Sequence, residues 1–191
     1  MDSSVAVGHD LAETDEAQLI ELARGDAEAF AELYRRHLRA VFSYLLTYVD
    51  SVDDAADLTQ LVFLRAFETL PRYRAEGIPF RAWLFRIARN AALNTFRRRK
   101  PIPWDHVPAA WQPFVDDNPE AASMRREALN QLRVLVAELP PAKQEMLYLR
   151  FAGGLTAGEI GAVIDKSEAA VQKQMNRTLH LLKERYRAME D

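Results

Sequence analysis

The chain has 191 residues, 49% of them hydrophobic and 28% charged, which allows one or two packed domains of roughly 100 residues each. It has no cysteine, which excludes disulfides, thiolate metal sites and cysteine nucleophiles. The net charge of −3 is unpromising for a nucleic-acid partner, yet residues 65–100 hold two acids and ten bases, net +8, while residues 1–30 hold eight acids and one base, net −7. A polyanion can bind at such a basic segment, or the arginines can line a solvated helix face.

Residues 1–14 show no periodicity and are expected to be a disordered tail. They also lack the basic start and apolar run of a signal peptide. The longest nearly apolar stretch, Ala40 to Val49, is about half of the ~20 residues a membrane helix needs, so the chain reads as cytoplasmic. A short helix fits Asp15 to Arg24, stopped by Gly25, with Asp26 as the next N-cap. A long helix follows over Ala27 to Val49, with Phe30, Leu33, Tyr34, Leu38, Val41, Phe42 and Leu45 at helical spacing. Another is predicted from Val52 to Leu70, ended by Pro71. The loop Pro71 to Pro79 leads into a basic helix from Phe80 to Arg98.

On that helix Phe80, Trp83, Leu84, Ile87 and Ala91 fall on one side, read chiefly as core. Arg86, Arg89, Asn90 and Arg97 fall on a neighbouring stripe. Arginines neutralise phosphates and asparagine can bond base edges, so this stripe suits nucleic acid. Arg72, Tyr73 and Arg74 in the preceding loop add two bases and a ring able to stack on an unpaired base. Residues 100–118, proline-rich and without a period, read as a linker.

A second helical domain is predicted from Pro119, broken at Pro140–Pro141. Pro141 suits the first turn of a helix ending near Gly153–Gly154. Thr156 to Glu159 has the capping-box pattern and starts a short helix ending near Ile164. Asp165–Lys166 turns the chain, and Ser167 can cap the last helix. Val171, Met175, Thr178, Leu182 and Tyr186 form its inner stripe. Ala169, Lys173, Asn176, Arg177 and His180 lie opposite, with Gln172 at the edge. Two helices joined by a tight turn make a helix-turn-helix, whose second helix can enter a DNA major groove. There Lys173 and Arg177 could hold phosphates or guanine, and Gln172 and Asn176 could pair with adenine. An ordinary helical hairpin with a polar outer face fits the same pattern. The fold class is therefore all-α: two small helical domains joined by an irregular linker, the C-terminal one containing a helix-turn-helix. His9, His37, His106 and His180 lack metal-ligand spacing, and no phosphate loop or nucleophile motif appears. No catalytic residue, metal, cofactor or small-molecule substrate is expected.

Two stretches together resemble the extracytoplasmic-function (ECF) sigma factors of the sigma-70 family. They are DDAADLTQLVFLRAFETLPRYRAEGIPFRAWLFRIARNAALNTFRRR, residues 53–99, and ELPPAKQEMLYLRFAGGLTAGEIGAVIDKSEAAVQKQMNRTLHLLKERY, residues 138–186. The ordered motifs D-L-x-Q-x-x-F, F-R-x-W-L-x-x-I-A-R-N and L-P-x-x-x-x-x-x-x-x-L-R, followed by the helix-turn-helix, carry the resemblance over about residues 15–189. It implies region 2 over 15–99, a linker over 100–118 that threads toward the polymerase active site, and region 4 over 119–191. It implies that Asp57, Gln60 and Phe63 dock on the clamp helices of the largest subunit of bacterial core RNA polymerase, with a core position, or a share in both, as the other reading of Phe63. Arg86, Arg89, Asn90 and Arg97, with Arg72, Tyr73 and Arg74, would engage the minus-ten promoter element, and the loop to Pro79 would capture a flipped base. Residues 167–177 (Ser167, Ala169, Gln172, Lys173, Asn176 and Arg177 among them) would read the minus-thirty-five element, with region 4 on the flap of the second-largest subunit. An anti-sigma factor, often membrane-tethered, is a further partner that the resemblance implies.

The chain departs from the family pattern at Leu61, where a carboxylate is usual, and at Asn94, where aspartate is usual. It departs again at Ala170-Val171-Gln172-Lys173-Gln174, where T-V-K-S-R is usual, so the base-reading set differs. Two other classes are weighed: a helix-turn-helix regulator that binds duplex DNA as a dimer without polymerase, and a sigma-like decoy or adaptor.

Overall fold

The computed structural model describes residues 11–49, 51–75, 77–95, 129 and 131–190. Residues 1–10 of the expected tail, Arg97, the linker 100–118 and the predicted domain start near Pro119 lie outside the described residues. The N-terminal helices are α1 (Glu16–Leu22), α2 (Ala27–Leu45), α3 (Val52–Thr69) and α4 (Phe80–Thr95). The C-terminal helices are α5 (131–137), α6 (Pro141–Leu147), α7 (Ala157–Ile164) and α8 (Glu168–Glu190).

The helix starts follow local chemistry. The side chains of Asp15, Asp26 and Ser51 accept from the backbone N–H of Ala17, Glu28 and Asp54, at 3.1, 2.8 and 2.9 Å. Each satisfies one of the donors that a helix N-terminus leaves unpaired. Pro71 cannot extend α3, which closes in a 3-10 turn over Leu70–Arg72. Arg24 pins this turn, donating to the carbonyls of Pro71 and Tyr73, each at 3.0 Å. Residues 11–14 differ from the expected tail. Arg36 donates to the carbonyls of Leu11, Ala12 and Thr14 at 2.8–2.9 Å, and Thr14 is buried. Several backbone acceptors converge on one guanidinium, which holds a segment that has no apolar period of its own.

In the C-terminal half, Pro141 occupies the first turn of α6. The chain then widens into a single π turn over Tyr148–Ala152, closed by the N–H of Gly153 on the Tyr148 carbonyl at 3.0 Å. Thr156 and Glu159 form the capping box, with bonds of 3.2 and 2.7 Å. Asp165 ends α7 at φ 60°, the left-handed region where a short polar side chain is tolerated. The turn to α8 passes so close to α7 that a Cβ on Gly161 would collide with the Lys166 carbonyl oxygen.

The buried apolar residues of both halves form one continuous core. Leu19, Leu33, Tyr44, Leu45 and Leu84 fill the N-terminal part, and Met146, Leu149, Leu155, Ile160 and Val171 the C-terminal part. Fully burying one large aliphatic side chain is worth about 1.5–3 kcal/mol. The junction runs through α4. Phe85 is wholly buried, edge-on to Tyr44 at 5.3 Å between ring centroids, and it lies directly over Gly153. Tyr48 meets Tyr148 across the same junction at 6.0 Å.

Candidate nucleic-acid interfaces

The first face is on α3. Asp57 and Gln60 are exposed one turn apart, and Leu64 and Phe67 continue the stripe at 56% and 46% exposure. Phe63 follows the core reading rather than the partner-facing one. It is 4% exposed and packs on Tyr34, ring centroids 4.6 Å apart. The helical turn carries position 63 about 100° beyond position 64, so the apolar contact of the exposed face passes to Leu64 and Phe67. Leu61 is partly buried against the core.

The second face is the loop and α4. Arg72 and Arg74 are exposed, with Arg74 folded back on the carbonyls of Pro71 and Tyr73. Tyr73 is buried rather than open for stacking. Its ring sits against Phe80 and Trp83, and its hydroxyl donates to the Ile78 carbonyl at 2.7 Å. That bond braces the loop from inside, and burial raises the phenol pKa.

Along α4, Asn90 is exposed, but Arg86 and Arg89 are only partly so, because both are occupied by the C-terminal half. Arg86 Nε donates to the Ala162 carbonyl at 2.7 Å. Arg89 grips the Glu145 carboxylate with two nitrogens, at 2.5 and 3.3 Å. A third arginine, Arg81, donates to the Gly153 carbonyl at 2.6 Å. Ala162 is within the last four residues of α7, whose carbonyls have no helical partner, so Arg86 both caps that helix and offsets its dipole. Beneath lie the Tyr44 and Tyr48 hydroxyls, 3.1 Å apart, which burial keeps protonated by pushing both phenols well up.

The third face is on α8. Val171, Met175, Thr178 and Leu182 are buried, and Ala169, Gln172, Lys173, Asn176, Arg177 and His180 are all exposed. Ser167 caps the helix, accepting from Ala170 N–H at 3.3 Å. Gln172 donates to the Asn176 side chain at 3.0 Å, so the two amides are held together on the surface. The Thr178 hydroxyl, the polar group among those four buried residues, donates to the Gln174 carbonyl and so leaves the core satisfied.

Comparison with known proteins accounts for both halves. The family model for sigma-70 region 2 matches residues 33–102, and that for sigma-70 region 4 matches residues 129–188. The ECF RNA polymerase sigma factor BldN of Streptomyces coelicolor is 32% identical over 178 residues, covering 90% of this chain and 67% of BldN. The chain belongs to the ECF RNA polymerase sigma factors. SigD of Mycobacterium bovis, another ECF sigma factor, is 30% identical over 176 residues, covering 88% of this chain and 82% of SigD. The fold is also that of CnrH, solved in complex with the cytosolic domain of CnrY, with a TM-score of 0.66 and 24% identity, covering 90% of this chain and 96% of CnrH. As a sigma factor the protein acts in transcription initiation. Neither a plain helix-turn-helix regulator nor a decoy is favoured by a chain that carries both regions in order.

Sequence reasoning missed three features of this sigma factor. Leu64 and Phe67 were legible as the continuation of the Asp57–Gln60 stripe. The second buried stripe of α4, with Ala82, Phe85, Ala88 and Ala92, was present as small residues around one aromatic ring. Glu145 as the partner of Arg89 had no local signal, since the two are 56 positions apart. No helix among the described residues is long and apolar enough to cross a membrane.

Proposed function

We propose that the three faces divide the work of initiation. The α3 face, with Asp57 and Gln60 at its polar end and Leu64 and Phe67 at its apolar end, docks on the clamp helices of core polymerase. Phe63 supports it from within. The loop arginines Arg72 and Arg74, with Arg86, Arg89, Asn90 and Arg97, hold the minus-ten element as it opens, and Tyr73 shapes the loop that receives an extruded base. The α8 face reads the minus-thirty-five element as duplex, with Lys173 and Arg177 on phosphates or guanine and Gln172 and Asn176 on base edges. Residues 15–99 act as the first domain, 100–118 as the linker through the polymerase, and 119–191 as the second domain, seated on the flap. The polymerase performs the chemistry, and this chain supplies position. It works in the cytoplasm, under an anti-sigma factor that covers its polymerase-binding surfaces. CnrH, with the same fold, was solved bound to the cytosolic domain of CnrY.

The observation that carries this reading is the partition of α8. Four inner residues are buried and every residue of the assigned reading set is exposed on the opposite side. The test is run-off transcription with purified bacterial core polymerase on fragmented DNA, with and without the protein. New transcripts with discrete starts and two shared upstream elements are expected. Core binding without transcripts would support a decoy, and promoter binding without core would support a plain regulator. Lys173→Ala with Arg177→Ala should then shift which promoters are used while leaving core binding intact.

A further inference from the structure

The loop between α3 and α4 is assigned above to an extruded base, and its shape is set from outside it. Arg24 follows the last turn of α1, with its side chain only 23% exposed. One terminal nitrogen of its guanidinium donates to the Leu70 and Pro71 carbonyls at 3.4 and 3.0 Å, and the other to the Tyr73 carbonyl at 3.0 Å. That second nitrogen also donates to the Glu21 carboxylate at 3.0 Å, which braces the fork against the preceding turn of α1. A planar guanidinium suits this task, since its donors stand at fixed angles and can hold several carbonyls at once.

Arg74 shares two of the same acceptors. Its Nη1 donates to the Pro71 and Tyr73 carbonyls at 3.3 and 3.1 Å, but Arg74 is exposed. Each carbonyl has two lone pairs, so it can accept from both arginines. When Arg74 turns to a phosphate, Arg24 keeps the carbonyls and the loop holds its shape. At the far end the Tyr73 hydroxyl holds the Ile78 carbonyl at 2.7 Å. Between these anchors Ala75 and Gly77 are exposed, and a Cβ on Gly77 would meet no atom within 4 Å. The loop is fixed at its ends and has open space at its middle.

We infer that Arg24 is a positioning residue for strand opening: braced by Glu21, it keeps the loop in the shape that receives the extruded base and leaves Arg74 free for the phosphate backbone. This inference rests on the reading of the loop as the base-capturing one. Arg24 itself touches no DNA. Its contribution is made before binding, because extracting a base from the stack is costly and a loop already ordered loses less entropy when the base enters.

Two measurements on the full chain test it. Trypsin reports the loop in the free protein, since Arg72 and Arg74 are exposed. Arg24→Ala should speed nicking after these two residues by about fivefold or more relative to nicking after Lys183 on α8, as a loop released from its anchor is cut faster. Unchanged relative nicking overturns the bracing. The rate of open-complex formation with core polymerase reports capture, on a promoter found by the run-off experiment. An abasic site is placed in turn at each non-template position of the minus-ten element. The position that most slows the unaltered protein marks the captured base.

Arg24→Ala should slow opening by about fivefold or more on the intact promoter. It should match the unaltered protein on the abasic one, where there is no base to receive. Arg24→Lys keeps the charge but has one nitrogen for three carbonyls and a carboxylate, so it should show the same pattern, and it decides the matter if the alanine variant folds poorly. Equal slowing on both promoters shows a general structural role and overturns the inference. A lysine variant that opens the intact promoter as fast as the unaltered protein shows that charge alone suffices, and overturns it too. If no abasic position slows the unaltered protein, the base-capture reading itself fails, whatever Arg24 does to the loop.

Discussion

Two helices of this protein carry arginine and amide groups on one face, and they are in opposite situations. On α8, Lys173, Asn176 and Arg177 face solvent across from a single buried stripe. On α4, Arg86 and Arg89 lie between two buried stripes and are held by the other half of the chain. The same residue chemistry is a free reading surface in one place and an intramolecular contact in the other. A cationic stripe shows which ligands are compatible with it, and the packing of its neighbours shows which ligand is already there.

The largest effect should come from the side of α8 that nobody reads. Leu182→Ala should cost about 2–5 kcal/mol in urea unfolding, the range for a buried leucine that leaves a cavity. Lys173→Ala should stay within about 0.5 kcal/mol, as surface changes do. Comparable losses would mean that α8 is not divided into a core side and a free side.

Next comes the contrast between the arginines themselves. Arg89→Ala strands a mostly buried Glu145 (16% side-chain exposure) and should destabilise the folded chain by about 1–3 kcal/mol. Arg177→Ala should be nearly silent in the same unfolding measurement. Equal responses would erase the distinction between the two faces.

Thr156→Ala removes the cap that starts the first helix of the helix-turn-helix. It should cost about 1 kcal/mol, read as faster amide exchange in α7 with α4 unaffected. Protection lost throughout both halves would show that α7 and α4 unfold as one unit.

The smallest effect is acidic. The His37 ring holds the Glu16 carboxyl below its ordinary value of 4.5, through a 2.8 Å hydrogen bond reinforced by the charge of Arg36. A carboxylate with a lowered folded pKa stabilises above that ordinary value, and its contribution fades as pH falls through the folded pKa. Glu16→Gln should therefore flatten the part of the stability profile that falls below pH 4.5. A profile unchanged by the substitution would show that the pair contributes nothing at the surface.

The N-terminal caps, the capping box, the inner and outer stripes of α8 and the end of α3 were legible because each depends on neighbours within four or five positions, whereas α2, expected to run to Val49, ends at Leu45. Tyr73 was not legible, and Phe63 stood between a core and a contact role. Both belong to motifs that read as contact surfaces, yet Phe63 turns to Tyr34 and Tyr73 to Phe80 and Trp83. An aromatic ring can serve a partner or a core equally well, and only the surrounding helices decide which side of it is wet. Residues 11–14 failed for a related reason: they have no periodicity, and Arg36, more than twenty positions away, orders them.

By itself the sequence determined the helical class, the boundaries set by caps and prolines, the order of the two regions and hence the family. These follow from local hydrogen bonding and from apolar spacing, which a single chain displays openly. The tertiary structure alone decided that Phe85 seats on Gly153, that Glu145 meets Arg89, and that one arginine-bearing face is covered while the other is free. Those outcomes depend on pairs distant in the chain, where a close steric fit and the need to satisfy each helix end choose among many partners of similar chemistry.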